Sequence, residues 1–440
     1  MTSSTPSPDK DIDVVVLVAG VALFSDGYNI RIIGYMNSVL AKLYPSVMTT
    51  EVKQLNSYCG DVLGMIFFNG LCIDRWGRRL GIFAITFFLV FGIVLATAAH
   101  GTTLTSMSWM MVIWRGVAGV GAGGEYAVCT TQAIEAADES AYAATSTNCA
   151  TVSGFVASSI VSVLVLLCYN GKTSDGVWRV CFGIGILLPL TIFFFRMRLV
   201  DSTQYRKHAI KRCFPLKLAV RRYWKALLGC CGTWFLYDFI VYPFNLLAPD
   251  PNPNPTTVSG FSSSTSLVET TGCGYLHTET DFRQNNGFLI DWIVRRQTYA
   301  LGFAIVSVFG FIIGGAMIPL RQNFPAFSFL SVGPGNCNFL VASESFPTPV
   351  RGHFLGLAAA VGKAGAAIGT QVFPLIVDRY GDEIKGQQAI FLIGAAISVV
   401  GTLMVYFLIP DKDRQLESED KLFKEYLEQN GWDTSDMGSI

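Results

Sequence analysis

Five of the ionisable side chains inside long apolar runs of this 440-residue sequence stand out, because an unpaired charge there is costly and is a functional candidate by default. Asp26 lies in Leu23-Phe24-Ser25-Asp26-Gly27-Tyr28; it either pairs locally or handles a proton. Arg115 precedes Gly116, Gly119, Gly121, Gly123 and Gly124, a run that lets a second helix approach closely. It is placed either to neutralise a buried carboxylate or to bind a ligand. Glu125 and Tyr126 end that run. A carboxylate beside close-packed backbone suits reversible protonation, because desolvation disfavours its charged form; the alternative is a fixed ion pair with Arg115.

Trp234, Asp238 and Tyr242 are spaced i, i+4 and i+8. On a helix each step of four drifts by about 40°, so the three share one face over two turns. An indole N–H, a phenol O–H and a protonated carboxyl can all donate to an oxyanion; without Asp238 the same stripe would read as packing. Lys363 sits in Ala360-Val361-Gly362-Lys363-Ala364-Gly365, too deep in its run to snorkel, and needs an anion. A substrate phosphate or Asp238 would serve. Gly333-Pro334-Gly335-Asn336 breaks another apolar run. Irregular backbone at membrane depth is tolerated where it lines a cavity, so Asn336 either binds ligand or marks a satisfied kink. No H-E-x-x-H and no G-x-x-x-x-G-K-[ST] occurs, so neither a zinc protease nor an ATP-driven machine is supported. Carboxylates and one lysine inside a membrane are the parts of an ion-coupled carrier.

These side chains must be positioned by membrane-crossing helices. Half the residues are apolar and 15% are charged, against about 25% charged in ordinary soluble chains. Stretches of about 20 apolar residues cross a bilayer as helices. They fall near 13–40, 54–73, 80–100, 106–132, 142–168 and 178–198, then near 223–248, 298–320, 323–346, 354–378 and 385–409. Basic loops mark the cytoplasmic side. Asp74-Arg75-Trp76-Gly77-Arg78-Arg79 follows the second span, and the cluster from Arg196 to Lys225 follows the sixth; both put the N-terminus inside.

The first of these loops has a degraded echo in Asp291-Trp292-Ile293-Val294-Arg295-Arg296, which suggests a duplicated bundle. If the echo is also cytoplasmic, a span must lie between Ala248 and Asp291. That interval is polar apart from Gly287 to Val294, eight residues that cannot cross. The sequence therefore reads as an all-α membrane protein with two six-helix bundles in plan and about eleven clear spans, the eighth being eroded or missing. The expected parts are a tail at 1–12, a first bundle at 13–198, a basic linker at 199–222, a second bundle at 223–410 with a polar insert at 249–286, and an acidic tail at 411–440.

Net charge is zero, which gives nucleic acid no support as a partner. The eleven cysteines are scattered without a C-x-x-C pair, so neither a disulfide framework nor a metal site is expected, and no cofactor. The Ser/Pro/Asp-rich start lacks the basic region of a cleavable signal peptide.

Several motifs carry a resemblance. Asp74-Arg75-Trp76-Gly77-Arg78-Arg79 resembles the signature loop of the major facilitator superfamily. Gly123-Gly124-Glu125-Tyr126, the segment Trp234 to Tyr242, Glu344-Ser-Phe-Pro-Thr-Pro-Val-Arg351 and Gly362-Lys363-Ala-Gly resemble its phosphate:proton symporter branch. Leu23 to Tyr28, Gly333 to Asn336 and Gly369-Thr-Gln-Val-Phe-Pro374 look closest, within that branch, to fungal glycerophosphoinositol (glycerophosphodiester) permeases. The likeness runs from about residue 14 to 410 and fails at 250–286. It implies that Tyr126, Trp234, Asp238, Tyr242 and Lys363 contact phosphate and that Asp26 and Asp238 handle protons, with Glu125 at another acidic position. It also implies structural or gating roles for Asp74, Arg75, Arg78, Arg115, Glu344 and Arg351. Phosphate carriers of the branch have Gly-Pro-Asn where this chain has Gly335 with Asn336 one place on, and a glutamine where it has Thr147-Asn148. Both differences favour a bulkier ligand, with Asn148 as the replacement.

The resulting expectation is a multi-pass plasma-membrane carrier, embedded in lipid, that moves a glycerophosphodiester with protons. Inorganic phosphate is the alternative substrate. A non-transporting nutrient sensor, with the acidic tail holding a cytosolic partner, and an inactive remnant are the alternatives of another class.

Overall fold

The computed structural model describes residues 8–48, 64, 78–136, 141–198, 215–247, 295–316, 334–410 and 416–434. Among these residues there are eleven helices and no strand. In chain order they are α1 Pro8–Leu43, α2 Arg78–Thr97, α3 Leu104–Ala136, α4 Ala141–Cys168, α5 Asp175–Arg198, α6 Leu216–Leu247, α7 Arg295–Gly315, α8 Pro334–Glu344, α9 Thr348–Arg379, α10 Glu383–Leu408 and α11 Leu416–Gln429. Six of them have the length and hydropathy to cross a bilayer. Their outward faces are apolar: Phe83, Phe87 and Phe91 on α2 and Leu403, Tyr406 and Phe407 on α10 are exposed. A continuous face of this kind is solvated by lipid, and the chain is a multi-pass membrane protein.

Nine of the expected spans have a helix over most of their length. The expected span at 323–346 is described only as α8, which starts on Pro334, where a missing N–H costs nothing. The expected second span, apart from Gly64, and the interval that should hold the eighth lie outside the described residues, so the count of eleven stands as an expectation. One boundary differs from the sequence reading. The basic segment is shorter than 199–222, because α6 begins at Leu216 and Lys217, Arg221 and Arg222 ride on its first turns. The acidic tail contains α11, a docked helix.

The helices pack as two similar halves. In the first, α1 lies against α3, α4 and α5, and α2 against α3 and α5. In the second, α6 lies against α8, α9 and α10, and α7 against α8 and α10. The halves meet where α8 and α9 touch α3 and where α8 touches α4. Between apolar helices in lipid, close approach replaces the hydrophobic effect as the source of attraction, and small residues permit it. Gly27 and Gly154 set the α1–α4 contact: a Cβ on Gly27 would collide with the backbone of Thr151, and one on Gly154 with that of Phe24. Gly365 does the same for α6–α9, where a Cβ would stand 2.5 Å from the Phe235 carbonyl oxygen.

Polar contacts fasten the ends. Where α2 finishes, Arg179 of α5 donates to the carbonyls of Thr97 and Ala99 at 2.5 and 2.7 Å and lies over the Trp178 ring. Tyr44, just past α1, donates to Asp175; burial and that carboxylate push its phenol up to about 12, so it remains a donor. At the start of α9, Asp420 of α11 accepts from the Thr348 backbone N–H and from its hydroxyl, both at 2.7 Å. This closes the helix start as an N-cap would, with the carboxylate supplied from 72 residues away. Glu419 accepts from Tyr223 at 2.6 Å, and Phe423 and Leu427 are fully buried against Tyr223, Phe346 and Phe354. Two acidic tail residues are thus structural, while Glu425 and Glu428 are exposed. Beyond Gln429 the chain reverses at Gly431, whose φ of 78° favours glycine, and Trp432 N–H bonds the Leu427 carbonyl.

Candidate functional site

The helical face expected from the i, i+4, i+8 spacing is present on α6, and α9 brings Lys363 to it. The Lys363 ammonium donates to the Tyr242 hydroxyl, stands 4.6 Å from the centre of that ring and is 4.0 Å from Asp238 Oδ2. Trp234, Asp238 and Lys363 are all buried. Asp238 Oδ2 receives no hydrogen bond. The ammonium and the carboxylate are therefore near neighbours without being a closed, hydrogen-bonded pair. At 4.0 Å and an effective dielectric of about 20, their attraction is about 4 kcal/mol.

Glycines hold this group together. A Cβ on Gly362 would run into the pyrrole edge of the Trp234 indole, so the ring packs directly against the backbone beside Lys363. One on Gly335 would stand 2.7 Å from the Tyr237 hydroxyl, which brings the start of α8 against α6. That start carries Asn336, whose side chain lies outside the described residues. The same holds for the side chains of Tyr126 on α3, Asn148 on α4 and Arg78 on α2, and for Asp74 and Arg75 altogether.

The first half buries its own polar group. Asp26 is fully buried on α1 and Glu125 is 1% exposed on α3. Arg115 donates to the Asn29 carbonyl at 3.1 Å and lies over the Phe182 ring at 5.4 Å, so it ties α3 to α1 and α5. Asn29 in turn donates to the carbonyls of Ser25 and Gly185 at 3.0 and 3.2 Å. Glu344 and Arg351 are both buried at the α8–α9 junction, where Arg351 Nη2 donates to the Thr348 hydroxyl at 3.4 Å.

Three contributors were not anticipated. Asn29 follows Asp26 by three residues, a spacing that puts both on one side of α1. Tyr299 of α7 donates to Asn338 Oδ1 of α8, both nearly inaccessible. The pair joins α7 to α8 inside the second half. Asn338 stands two residues past Asn336 in a run already singled out for its polarity; nothing in the sequence around Tyr299 distinguishes it from a core aromatic. Among the described residues no cluster of His, Cys, Asp and Glu could hold a metal ion.

Comparison with known proteins bears on what this arrangement serves. Residues 15–211 and 283–423 match the family described as sugar (and other) transporter. The interval between the two matched stretches holds α6. The chain is 36% identical to glycerophosphoinositol permease 1 of Candida albicans, over 95% of this chain and 82% of that protein. It is 34% identical to glycerophosphoinositol transporter 1 of Saccharomyces cerevisiae, over 99% and 86%. Among solved structures, the proton:xylose symporter XylE of the major facilitator superfamily superposes with a TM-score of 0.72 at 16% identity, covering 95% of this chain and all of that one.

Proposed function

The chain belongs to the sugar (and other) transporter family of the major facilitator superfamily, and on that premise we propose that it carries a glycerophosphodiester, glycerophosphoinositol first among candidates, across the plasma membrane together with a proton. It is a transporter, not an enzyme. The observation that carries the substrate class is the α6–α9 group: one buried ammonium with a tyrosine hydroxyl and an indole beside it, and an aspartate within 4.0 Å. The names of the two yeast relatives point to the same phosphodiester class.

The geometry supports a coupling of proton and substrate. While Asp238 is ionised it competes with any anion for Lys363, by the same interaction of about 4 kcal/mol at 4.0 Å. Protonating Asp238 removes the competitor and frees the ammonium for a phosphoryl oxygen, while Tyr242 and Trp234 orient the group by donation. Proton and substrate then favour each other's binding, and by linkage the effect is reciprocal. Asp26 and Glu125, buried in the first half, are the further proton-handling positions. Tyr126, Asn148 and Asn336 complete the substrate contacts. Asp74, Arg75, Arg78, Glu344 and Arg351 control the closing of the halves, and Arg115 holds the first half's frame. Alternating access is a rocking of one half on the other around this fixed group.

The test is uptake in cells stripped of their own phosphate and glycerophosphodiester carriers. Labelled glycerophosphoinositol and labelled inorganic phosphate are compared, with and without a protonophore. Preferential, protonophore-sensitive uptake of the diester, lost in Lys363→Ala, is the expected result. Uptake of inorganic phosphate alone would overturn the substrate, and proton-independent uptake would overturn the coupling. No uptake of either by protein at the cell surface would overturn the carrier; binding without flux would then mark a sensor, and neither binding nor flux an inactive remnant.

A further inference from the structure

The first turns of α6 carry cations that the transport site does not use. Lys217, Arg221 and Lys225 follow one another at intervals of four, and all three are exposed. At 100° per residue they fall within about 80° of one another. Trp224 and Leu228, 52% and 51% exposed, lie on the same side of the helix. The other side of these turns is buried: Ala219, Tyr223 and Ala226 belong to the core of the second half. Arg222 stands between the two sides and is engaged, reaching Glu419 at 3.5 Å and lying over the Tyr426 ring. Lys217, Arg221 and Lys225 have no ion pair among the described residues; Lys225 Nζ stands 5.8 Å from the centre of the Trp224 ring.

Helix length sets the level of this face. The 32 residues of α6 extend about 48 Å, whereas a hydrocarbon layer of about 30 Å takes about 20 residues. From Ala226 to Leu247 the only charged side chain is Asp238, so the surplus turns are those before Ala226. Lys225 therefore marks the edge of the hydrocarbon, with Trp224 beside it at the level where indoles collect. Asp238 then lies about 20 Å further along the helix, near mid-membrane. With the orientation read from the basic loops, the charged turns meet the cytoplasmic leaflet, whose anionic lipids attract such segments.

We propose that this face of α6 is a binding site for an anionic phospholipid of the cytoplasmic leaflet. The headgroup lies among Lys217, Arg221 and Lys225, and the acyl chain runs along Trp224 and Leu228. Charge and apolar surface follow each other along one face in the order that a phospholipid presents them. A soluble acidic partner would match the cations alone and leave Trp224 and Leu228 uncovered. The bound lipid holds α6 from outside while Glu419 holds Tyr223 from inside at 2.6 Å, so the depth of Asp238 is fixed from both sides. The site is independent of which solute the chain carries.

The test reads the emission of Trp224, taken as the difference between the full chain and its Trp224→Phe variant in proteoliposomes. Phosphatidylserine or phosphatidylcholine, brominated near the glycerol end of one acyl chain, is present at equal mole fraction in a phosphatidylcholine bilayer. Brominated phosphatidylserine should quench Trp224 at least about threefold more strongly. The preference should vanish in a chain carrying Lys217→Gln, Arg221→Gln and Lys225→Gln together. In the parent it should also fall toward equality at about 1 M salt, where the screening length is about 3 Å, which decides the matter if the triple variant does not fold. Equal quenching by the two lipids at low salt overturns the proposal. So does a preference that survives the triple substitution or the high salt. Quenching by neither lipid would place the face clear of the bilayer, where a soluble acidic partner is the remaining occupant, and overturns it as well.

Discussion

Replacing Asp420 with alanine removes two hydrogen bonds at once, and the structure gives their worth. The carboxylate accepts from the Thr348 backbone N–H and from the Thr348 hydroxyl, both at 2.7 Å, and the residue is 6% exposed. Loss of a capping acceptor costs about 1 kcal/mol. Loss of a hydrogen bond to a charged group costs about 2 kcal/mol. The sum is about 3 kcal/mol, or roughly 150-fold in the opening equilibrium of α11. Asp420→Asn keeps one neutral acceptor for the N–H and should lose about half as much. Hydrogen exchange on protein in detergent reads this directly, because undocking exposes the amides of residues 416–429 while the buried helices stay closed. The expected pattern is faster exchange confined to α11 and the first turn of α9, graded alanine over asparagine over parent. Exchange in α11 within threefold of the parent for Asp420→Ala would show that the apolar contacts of Phe423 and Leu427 suffice, and the capping argument would fall.

Three further outcomes are expected. Asp238→Asn should flatten the pH dependence of substrate binding: the parent weakens as pH rises because ionised Asp238 competes for Lys363, and asparagine copies the neutral acid. Equal weakening in both proteins would sink that coupling. Gly365→Ala should destabilise the α6–α9 pair by about 1–3 kcal/mol, because its Cβ meets a carbonyl oxygen at 2.5 Å and neither backbone can yield alone. Gly34→Ala, with nothing within 4 Å, should be neutral, and thermal melts of the two variants in detergent make the comparison. Tyr299→Phe strips the Asn338 oxygen of a buried donor and should cost about 1–3 kcal/mol, with an unchanged melting curve as the contrary result.

Much of the fold was legible because hydropathy reads membrane helices strongly: an apolar run of bilayer length has few alternatives. The α6 site was legible for a related reason. A charge in such a run is rare, and i, i+4, i+8 fixes a common face without knowledge of the neighbours. What the sequence did not disclose depends on partners distant in the chain. That Arg115 braces backbone depends on the Asn29 carbonyl and the Phe182 ring, 86 and 67 residues away in the chain. Tyr299 becomes a polar element only through Asn338. The acidic residues near the C-terminus read as solvated charge in one dimension, yet Glu419 and Asp420 are inward because Phe423 and Leu427 set the buried face of α11.

The cap on α9 has a consequence for the order of manufacture. Asp420 is made 72 residues after Thr348, and at about 5–20 residues per second that is a wait of roughly 4–14 s. Through that interval α9, which carries Lys363, has its first turn open and the apolar pocket for Phe423 and Leu427 uncovered. A ribosome that stalls before Leu416 therefore leaves the start of α9 uncapped and the apolar surface that receives Phe423 and Leu427 exposed. Docking of α11 closes both openings in one step.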